Sequence, residues 1–344
     1  MALSAILAAL NNAYSFFAQT FLCGEPTWSV EEIPDLTGQI AIVTGGNAGI
    51  GKDTVKELLK HNAKVYMACR SEEKAIKAIK ELQVITGKTA EFIQLDLADL
   101  KSVKAAVAAY TVKESQLHIL INNAGVMYTP LEQITTDGYD MQFGTNVLGP
   151  FYFTKLLLPT LLATASQCPA GKVRVVSSTS SAHYIGAFEF ASFKDGPVRR
   201  SRLLPETLYG QSKMGVVIFA TELARRYGER GIISTSVNPG HVKSDLTRYM
   251  SPIKGAIVRY LQFYPVSYGA LGQLYAATTA AGLALNGKVR PGALAACSAL
   301  TAPQFLKPWA TVGVPRASSQ DPRLGRDLWQ WLEDQVAPFE DATI

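Results

Sequence analysis

The chain has 344 residues, 48% hydrophobic and 18% charged, which is enough apolar mass for a sizeable core and too much for a disordered chain. Thirty-three Lys and Arg against 28 Asp and Glu leave a formal charge of +5, without the clustered basic runs of a nucleic-acid binder. Cys23, Cys69, Cys168 and Cys297 form no C-x-x-C pair, so neither a disulfide framework nor a zinc site is expected, and a reducing, cytoplasmic compartment fits best.

Residues 2–22 are apolar, but Asn11, Asn12 and Gln19 interrupt them and no Lys or Arg forms the basic start of a signal peptide. Leu3, Leu7, Leu10, Tyr14 and Phe17 recur at helical spacing. An amphipathic helix is expected, either in peripheral contact with an intracellular membrane or docked on the body of the protein. In the membrane-contact reading the segment is dispensable for catalysis. Pro26 and Pro34 then break any continuing helix, so residues 1–36 read as an apolar segment and a linker.

From Gly38 onward short β-rich runs alternate with helical patterns: QIAIVTGG, Lys52 to His61, AKVYMAC, Glu72 to Thr86, EFIQLD. The alternation continues through LHILIN, a helix around Gly138 to Ala165, KVRVVSS, a helix from about Tyr209 to Arg226, and IISTSVNP. Repeated βα units predict one α/β domain over residues 37–335, a doubly wound parallel sheet with helices on both faces, and a short tail at 336–344.

The first strand runs into Thr44-Gly45-Gly46-Asn47-Ala48-Gly49-Ile50-Gly51 and then a helix. Glycines there allow a tight turn and a close approach of backbone to a pyrophosphate, which the helix-start N–H groups of Asn47, Gly49, Ile50 and Gly51 can hold. At the end of the second strand, where an NAD enzyme places an acid against the ribose, stand Arg70 and Ser71, suited to a 2′-phosphate. Asp96 ends the third strand, as either an adenine acceptor or a helix N-cap.

Of 14 tyrosines only Tyr209 has lysine four positions on, so the Tyr209 phenol and Lys213 ammonium share one helix face. The preceding strand delivers Ser177, Ser178, Ser180 and Ser181 to the carboxyl edge of the sheet, where such folds keep their ligands. The Lys213 ammonium, together with the positive nicotinamide of an oxidised dinucleotide, is expected to lower the phenol pKa and make it a usable base. His183 and His241 belong to no metal-ligand spacing and read as loop histidines, so no metal is expected.

Together these motifs resemble the short-chain dehydrogenase/reductase family from about Thr37 to Asp245, which implies a Rossmann-type fold. On that resemblance Asn123, Ala124 and Gly125 match the N-N-A-G after the fourth strand, and Asn146 the asparagine of the catalytic tetrad. Pro239, Gly240, Val242 and Ser244 match the segment against nicotinamide. Aligning R-V-V-S-S-T-S-S-A-H with the family's strand selects Ser180 as the tetrad serine, with Ser178 as the alternative. The resemblance implies that Tyr209 and Lys213 also touch the cofactor, and that Asn146 orders a water leading to Lys213.

The wording Val65 to Ser71, Ser181-Ala182-His183 and the long interval from Ser180 to Tyr209 resemble the retinol dehydrogenase, protochlorophyllide reductase and WW-domain oxidoreductase branch. That interval, with Phe188, Phe190, Phe193 and Arg199-Arg200, reads as a flap. Residues 289–304 look inserted, either as a retained intron or as an apolar lid. The implied function is NADP(H)-dependent hydride transfer to or from a carbonyl or alcohol of an apolar small molecule. A non-catalytic NADP(H)-binding interaction or sensor protein is the competing reading, and a homo-oligomer stays open.

Overall fold

The computed structural model describes residues 2–169, 171–202, 204–243, 245–250, 255–256, 258, 264–279 and 304–340. The segment 289–303 and Ser244 lie outside them.

Eight strands form one sheet in the order β3-β2-β1-β4-β5-β6-β7-β8. They are β1 (Ile40–Thr44), β2 (Lys64–Cys69), β3 (Glu91–Gln94), β4 (Ile119–Asn122), β5 (Val173–Ser178), β6 (Ile232–Val237), β7 (Gln304–Lys307) and β8 (Thr311–Gly313). All pair in parallel except β7 with β8. β1, β4, β5 and β6 are buried along their whole length, so none alternates between a buried and an exposed face; β1 and β4 are apolar runs ended by Thr44 and Asn122, while β5 and β6 also bury Arg174 and several Ser and Thr. From β1 the chain winds out to β3 and returns to place β4 on the other side of β1, so the order reverses beside the glycine-rich loop.

The longer helices among the described residues are α1 (Ala2–Phe21), α2 (Gly49–Lys60), α3 (Glu72–Thr86), α4 (Leu100–Thr111), α5 (Gly149–Gln167), α6 (Pro205–Tyr227), α7 (Val266–Thr278) and α8 (Pro322–Glu340). Two apolar clusters, one on each face of the sheet, hold them. One joins α4, α5, α6 and α8 through residues such as Tyr110, Phe151, Phe219 and Trp329; the other joins α2, α3 and α7 through Val55, Leu82 and Leu274.

Three expectations change in the structure. The tail boundary at 335 falls inside α8, because Leu328, Trp329, Leu332 and Val336 make one buried face that continues past it. The linker is not free chain: Trp28, Ile33 and Leu36 are buried in the second cluster, and Trp309 Nε1 donates to Gly24 O at 3.2 Å. The aromatic flap is anchored as well. Phe193 is fully buried and stacks on Phe143 at 3.7 Å, and Arg199 is buried in an ion pair with Asp140 at 2.9 Å.

α1 carries the expected apolar stripe, with Leu7, Leu10, Tyr14 and Phe17 all more than half exposed. Its last turn is docked, however: Gln19 and Thr20 are buried against the Ser181–Tyr184 turn.

Candidate active site

The glycine-rich turn fits a dinucleotide pyrophosphate. Gly45 (φ +66°) and Gly49 (φ +52°) hold backbone conformations that side chains resist, and a Cβ on Gly51 would stand 2.4 Å from the Gly45 carbonyl and 2.5 Å from Asn123 Nδ2. A Cβ on Gly49 would instead meet nothing within 4 Å. The N-cap of α2 is Ala48, which has no side-chain oxygen to offer, so the first N–H groups of α2 (Gly49, Ile50, Gly51) begin uncapped beside open space.

Thr44 ties this turn to the next strand. Its Oγ1 accepts from the backbone N–H of Asn123 at 3.0 Å and of Ala124 at 2.9 Å, while Asn123 Nδ2 donates to the Thr44 carbonyl at 2.9 Å. Gly125 follows closely: a Cβ there would stand 2.9 Å from Asn146 Oδ1 and 3.4 Å from Lys213 Nζ. Only glycine lets the strand end pass under these two side chains.

Arg70 is exposed at the end of β2. Ser71 caps α3, its side chain accepting from Lys74 N. Asp96 accepts from Ala98 N at 3.0 Å within its turn, and the N-cap of α4 is Asp99.

Asn146 lies in a π-helical turn, Gly144–Leu148, within the stretch expected to be regular helix. Its side chain is held by three hydrogen bonds: Oδ1 accepts from Val126 N at 2.9 Å, and Nδ2 donates to Val126 O at 3.0 Å and to Ser212 Oγ at 2.9 Å. Pro150, four residues on, has no N–H to give the Asn146 carbonyl in an α pattern.

Tyr209 and Lys213 sit on the inner face of α6, both buried. Lys213 Nζ donates to the Ser178 carbonyl at 3.0 Å and stands 5.7 Å from the centre of the Tyr209 ring. Ser180 hydrogen-bonds the Tyr209 phenol, and its Oγ also accepts from Ala182 N at 3.2 Å as the cap of the next turn. Ser178 Oγ is engaged elsewhere, with Gln273 Nε2 at 2.6 Å. The structure therefore brings Ser180, rather than the alternative Ser178, against the phenol.

In the protein alone, burial opposes the lowering of the phenol pKa expected from Lys213 and the oxidised nicotinamide together. Desolvation by burial holds Tyr209 above its ordinary value, outweighing the Ser180 hydrogen bond, which acts in the lowering direction. Burial likewise pushes Lys213 down to about 8.

At the end of β6, Gly240 has φ +73°, and a Cβ there would collide with the Trp309 ring at 2.6 Å. Pro239 is half-buried, and Val242 N donates to Gly240 O at 3.2 Å.

Two residues that sequence reasoning missed shape the site. Gln273, fully buried on α7, donates to Asn123 Oδ1 at 3.0 Å and to Ser178 Oγ, and accepts from Thr54 Oγ1 at 3.0 Å. His183 is not a surface loop histidine: it is fully buried, with Nδ1 2.6 Å from the Ser180 carbonyl and Nε2 accepting from Arg316 N at 3.3 Å. This pattern requires the neutral ring with its proton on Nδ1.

Burial pushes the His183 pKa down to about 4, against an ordinary 6.5. The unfolded chain thus takes up the proton near pH 6.5 and the folded chain only near pH 4. The contribution to stability is complete above pH 6.5 and is lost as pH falls from there toward 4, at up to about 1.4 kcal/mol per unit. Urea unfolding at pH 7 and pH 5 checks this: wild type should lose about 2 kcal/mol more than His183→Gln over that interval. Equal losses would contradict it.

Comparison with known proteins identifies the family. The family model for short chain dehydrogenases matches residues 39–198. A short-chain dehydrogenase/reductase of Armillaria gallica is 50% identical over 96% of this chain and all of its own. Retinol dehydrogenase 11 of Mus musculus is 39% identical over 71% of this chain and 74% of its own. The RhlG/NADP active-site complex of Pseudomonas aeruginosa superposes with TM-score 0.56 and 26% identity, covering 72% of this chain and 91% of that one.

The chain belongs to the short-chain dehydrogenase/reductase family. It falls in the retinol dehydrogenase-like branch, and is an oxidoreductase of CH–OH or C=O groups that uses a nicotinamide cofactor and a small-molecule substrate.

Proposed function

We propose that the chain is an NADP(H)-dependent reductase or alcohol dehydrogenase acting on an apolar small molecule. The observation that carries this reading is the meeting of Ser180, Tyr209 and Lys213 past the carboxyl edge of β5, beside the uncapped start of α2. The nicotinamide, when bound, supplies or accepts the hydride. Gly45, Asn47, Gly49, Ile50 and Gly51 would hold its pyrophosphate, Asp96 its adenine, and Asn123, Ala124, Gly125, Pro239, Gly240 and Val242 the nicotinamide half.

In reduction, Tyr209 gives its phenolic proton to the carbonyl oxygen, and the Ser180 hydroxyl donates to the same oxygen. Burial favours the protonated phenol and so suits Tyr209 as a general acid. In alcohol oxidation the phenolate is needed, and the Lys213 ammonium is the nearby charge that stabilises it. Lys213 would also hold the ribose hydroxyls of the nicotinamide half. The Asn146 side chain is fixed by Val126 and Ser212, and the carbonyl that Pro150 leaves without an α-helical donor would hold a water leading to Lys213. Tyr128, packed edge-on to Tyr209 at 5.3 Å, gives the substrate an aromatic wall. An apolar substrate also accords with the retinol named for the mouse relative.

The test of function is NADPH oxidation against decanal and 2-decanone, with retinol plus NADP⁺ for the reverse direction. Cofactor binding without turnover of any probe would favour the non-catalytic sensor. Cofactor choice rests on Arg70, whose guanidinium takes no side-chain partner among the described residues and would meet a 2′-phosphate. A charge-assisted hydrogen bond is worth roughly 1.5–3 kcal/mol, so NADPH should bind about 10- to 150-fold more tightly than NADH. Calorimetric titration of both should show this order, and Arg70→Asp should reverse it; equal affinities would refute the assignment.

A further inference from the structure

The docked end of α1 reaches both loops that flank the Ser180–Tyr209–Lys213 cluster. Gln19 Nε2 donates to the Tyr184 hydroxyl at 2.8 Å, and that hydroxyl in turn donates to Val314 O at 2.5 Å. Gln19 Oε1 accepts from Asn238 Nδ2 at 3.0 Å, and Asn238 Oδ1 accepts from Gly240 N at 3.1 Å. One turn position along, Thr20 Oγ1 donates to Ser181 Oγ at 3.2 Å. Gln19, Thr20, Tyr184 and Asn238 are all buried.

Each group in this relay uses a donor or acceptor that no apolar side chain could replace. The Gln19 amide is oriented at both ends, because its NH₂ meets an oxygen already committed as a donor and its carbonyl meets an NH₂. A buried chain of this kind is stiff while complete and costly when one member is lost. Its two ends are the turn capped by Ser180 and the backbone of Gly240.

We propose that Gln19 is a positioning residue of the active site, tying the Ser180–Tyr184 turn to the Asn238–Gly240 loop so that both face the cofactor in a fixed relation. In place of a dispensable leader, α1 is then a clamp whose apolar stripe is free and whose last turn is built into the site. The inference rests on the NADP(H) reading for what the two loops face, but the tie itself does not.

The experiment uses the full chain and Gln19→Leu, which keeps the bulk and removes both hydrogen-bonding ends. Without cofactor, hydrogen exchange at the bonded amides of His183, Ile185, Gly240 and Val242 should become at least tenfold faster, with β1 and β4 unchanged. Calorimetry should show NADPH binding weakened by about three- to tenfold, and 2′,5′-ADP, which lacks the nicotinamide half, within twofold of wild type. A residue that merely stabilises the fold would move strand amides and both ligands alike.

Unchanged exchange and unchanged NADPH affinity would overturn the proposal, as would uniform loosening that includes β1. If wild type bound neither ligand, the NADP(H) reading would fail and the exchange data alone would decide the tie. Should Gln19→Leu not fold, Gln19→Glu keeps an oxygen for Asn238 but loses the donor to Tyr184, so exchange should quicken at His183 and Ile185 and stay unchanged at Gly240 and Val242. Unchanged exchange at all four amides would refute the relay.

Discussion

Tyr209→Phe is expected to fold, to bind NADPH within about twofold of wild type, and to lose turnover by about 10²–10⁴-fold. The substitution removes one oxygen and its proton and leaves the ring, which packs edge-on against Tyr128 at 5.3 Å. Ser180 loses a hydrogen-bond partner but keeps Ala182 N, so its turn stays capped. Steady-state kinetics with calorimetric cofactor titration checks this, and more than half of wild-type turnover would show that the phenol transfers no proton.

Lys213→Met is expected to cost as much turnover and, in addition, to weaken NADPH binding by about 10- to 150-fold, the equivalent of a charged hydrogen bond. The methionine occupies the same buried channel but brings no donor for the Ser178 carbonyl and no charge near the phenol. Burial already raises the phenol pKa, so loss of the cation should move the rise of alcohol oxidation with pH to higher pH. A pH profile of the residual oxidation tests this; a profile unchanged from wild type would mean that Lys213 acts on the cofactor alone.

The two variants separate roles that the sequence could only place side by side. The i, i+4 spacing put phenol and ammonium on one helix face, and they lie there. The direction of the phenol pKa was not readable, because it depends on how much water the fold removes and not on which residues are neighbours in the chain.

Much of the sheet was legible for a related reason. β1, β2 and β4 are mostly apolar runs, and glycines at 45, 49 and 51 have local causes: a positive φ at the first two, and at 51 a contact with the Gly45 carbonyl. What escaped was long-range. Gln19, His183 and Gln273 each have at least one partner far along the chain: Asn238 for Gln19, Arg316 for His183 and Thr54 for Gln273, as far as 219 positions for Gln19 and Asn238. Periodicity carries no trace of such partners. The π-helical turn at Asn146 had one local sign, the proline at 150, and the anchored aromatic segment had another in the spacing of Phe188, Phe190 and Phe193. The aromatic segment reads as a flap in the sequence because the partners of Phe193, namely Phe143 and Trp331, belong to other elements.

The most direct measurement of the central claim follows a label from the cofactor into the product. NADPH carrying deuterium at nicotinamide C4 is incubated with decanal and the full chain, and the decanol is analysed by mass spectrometry. The site described above predicts one deuterium at the carbinol carbon with wild type and at least a hundredfold less product with Tyr209→Phe. Product labelled equally by both proteins, or tight NADPH binding with no label transferred to any carbonyl probe, would contradict it.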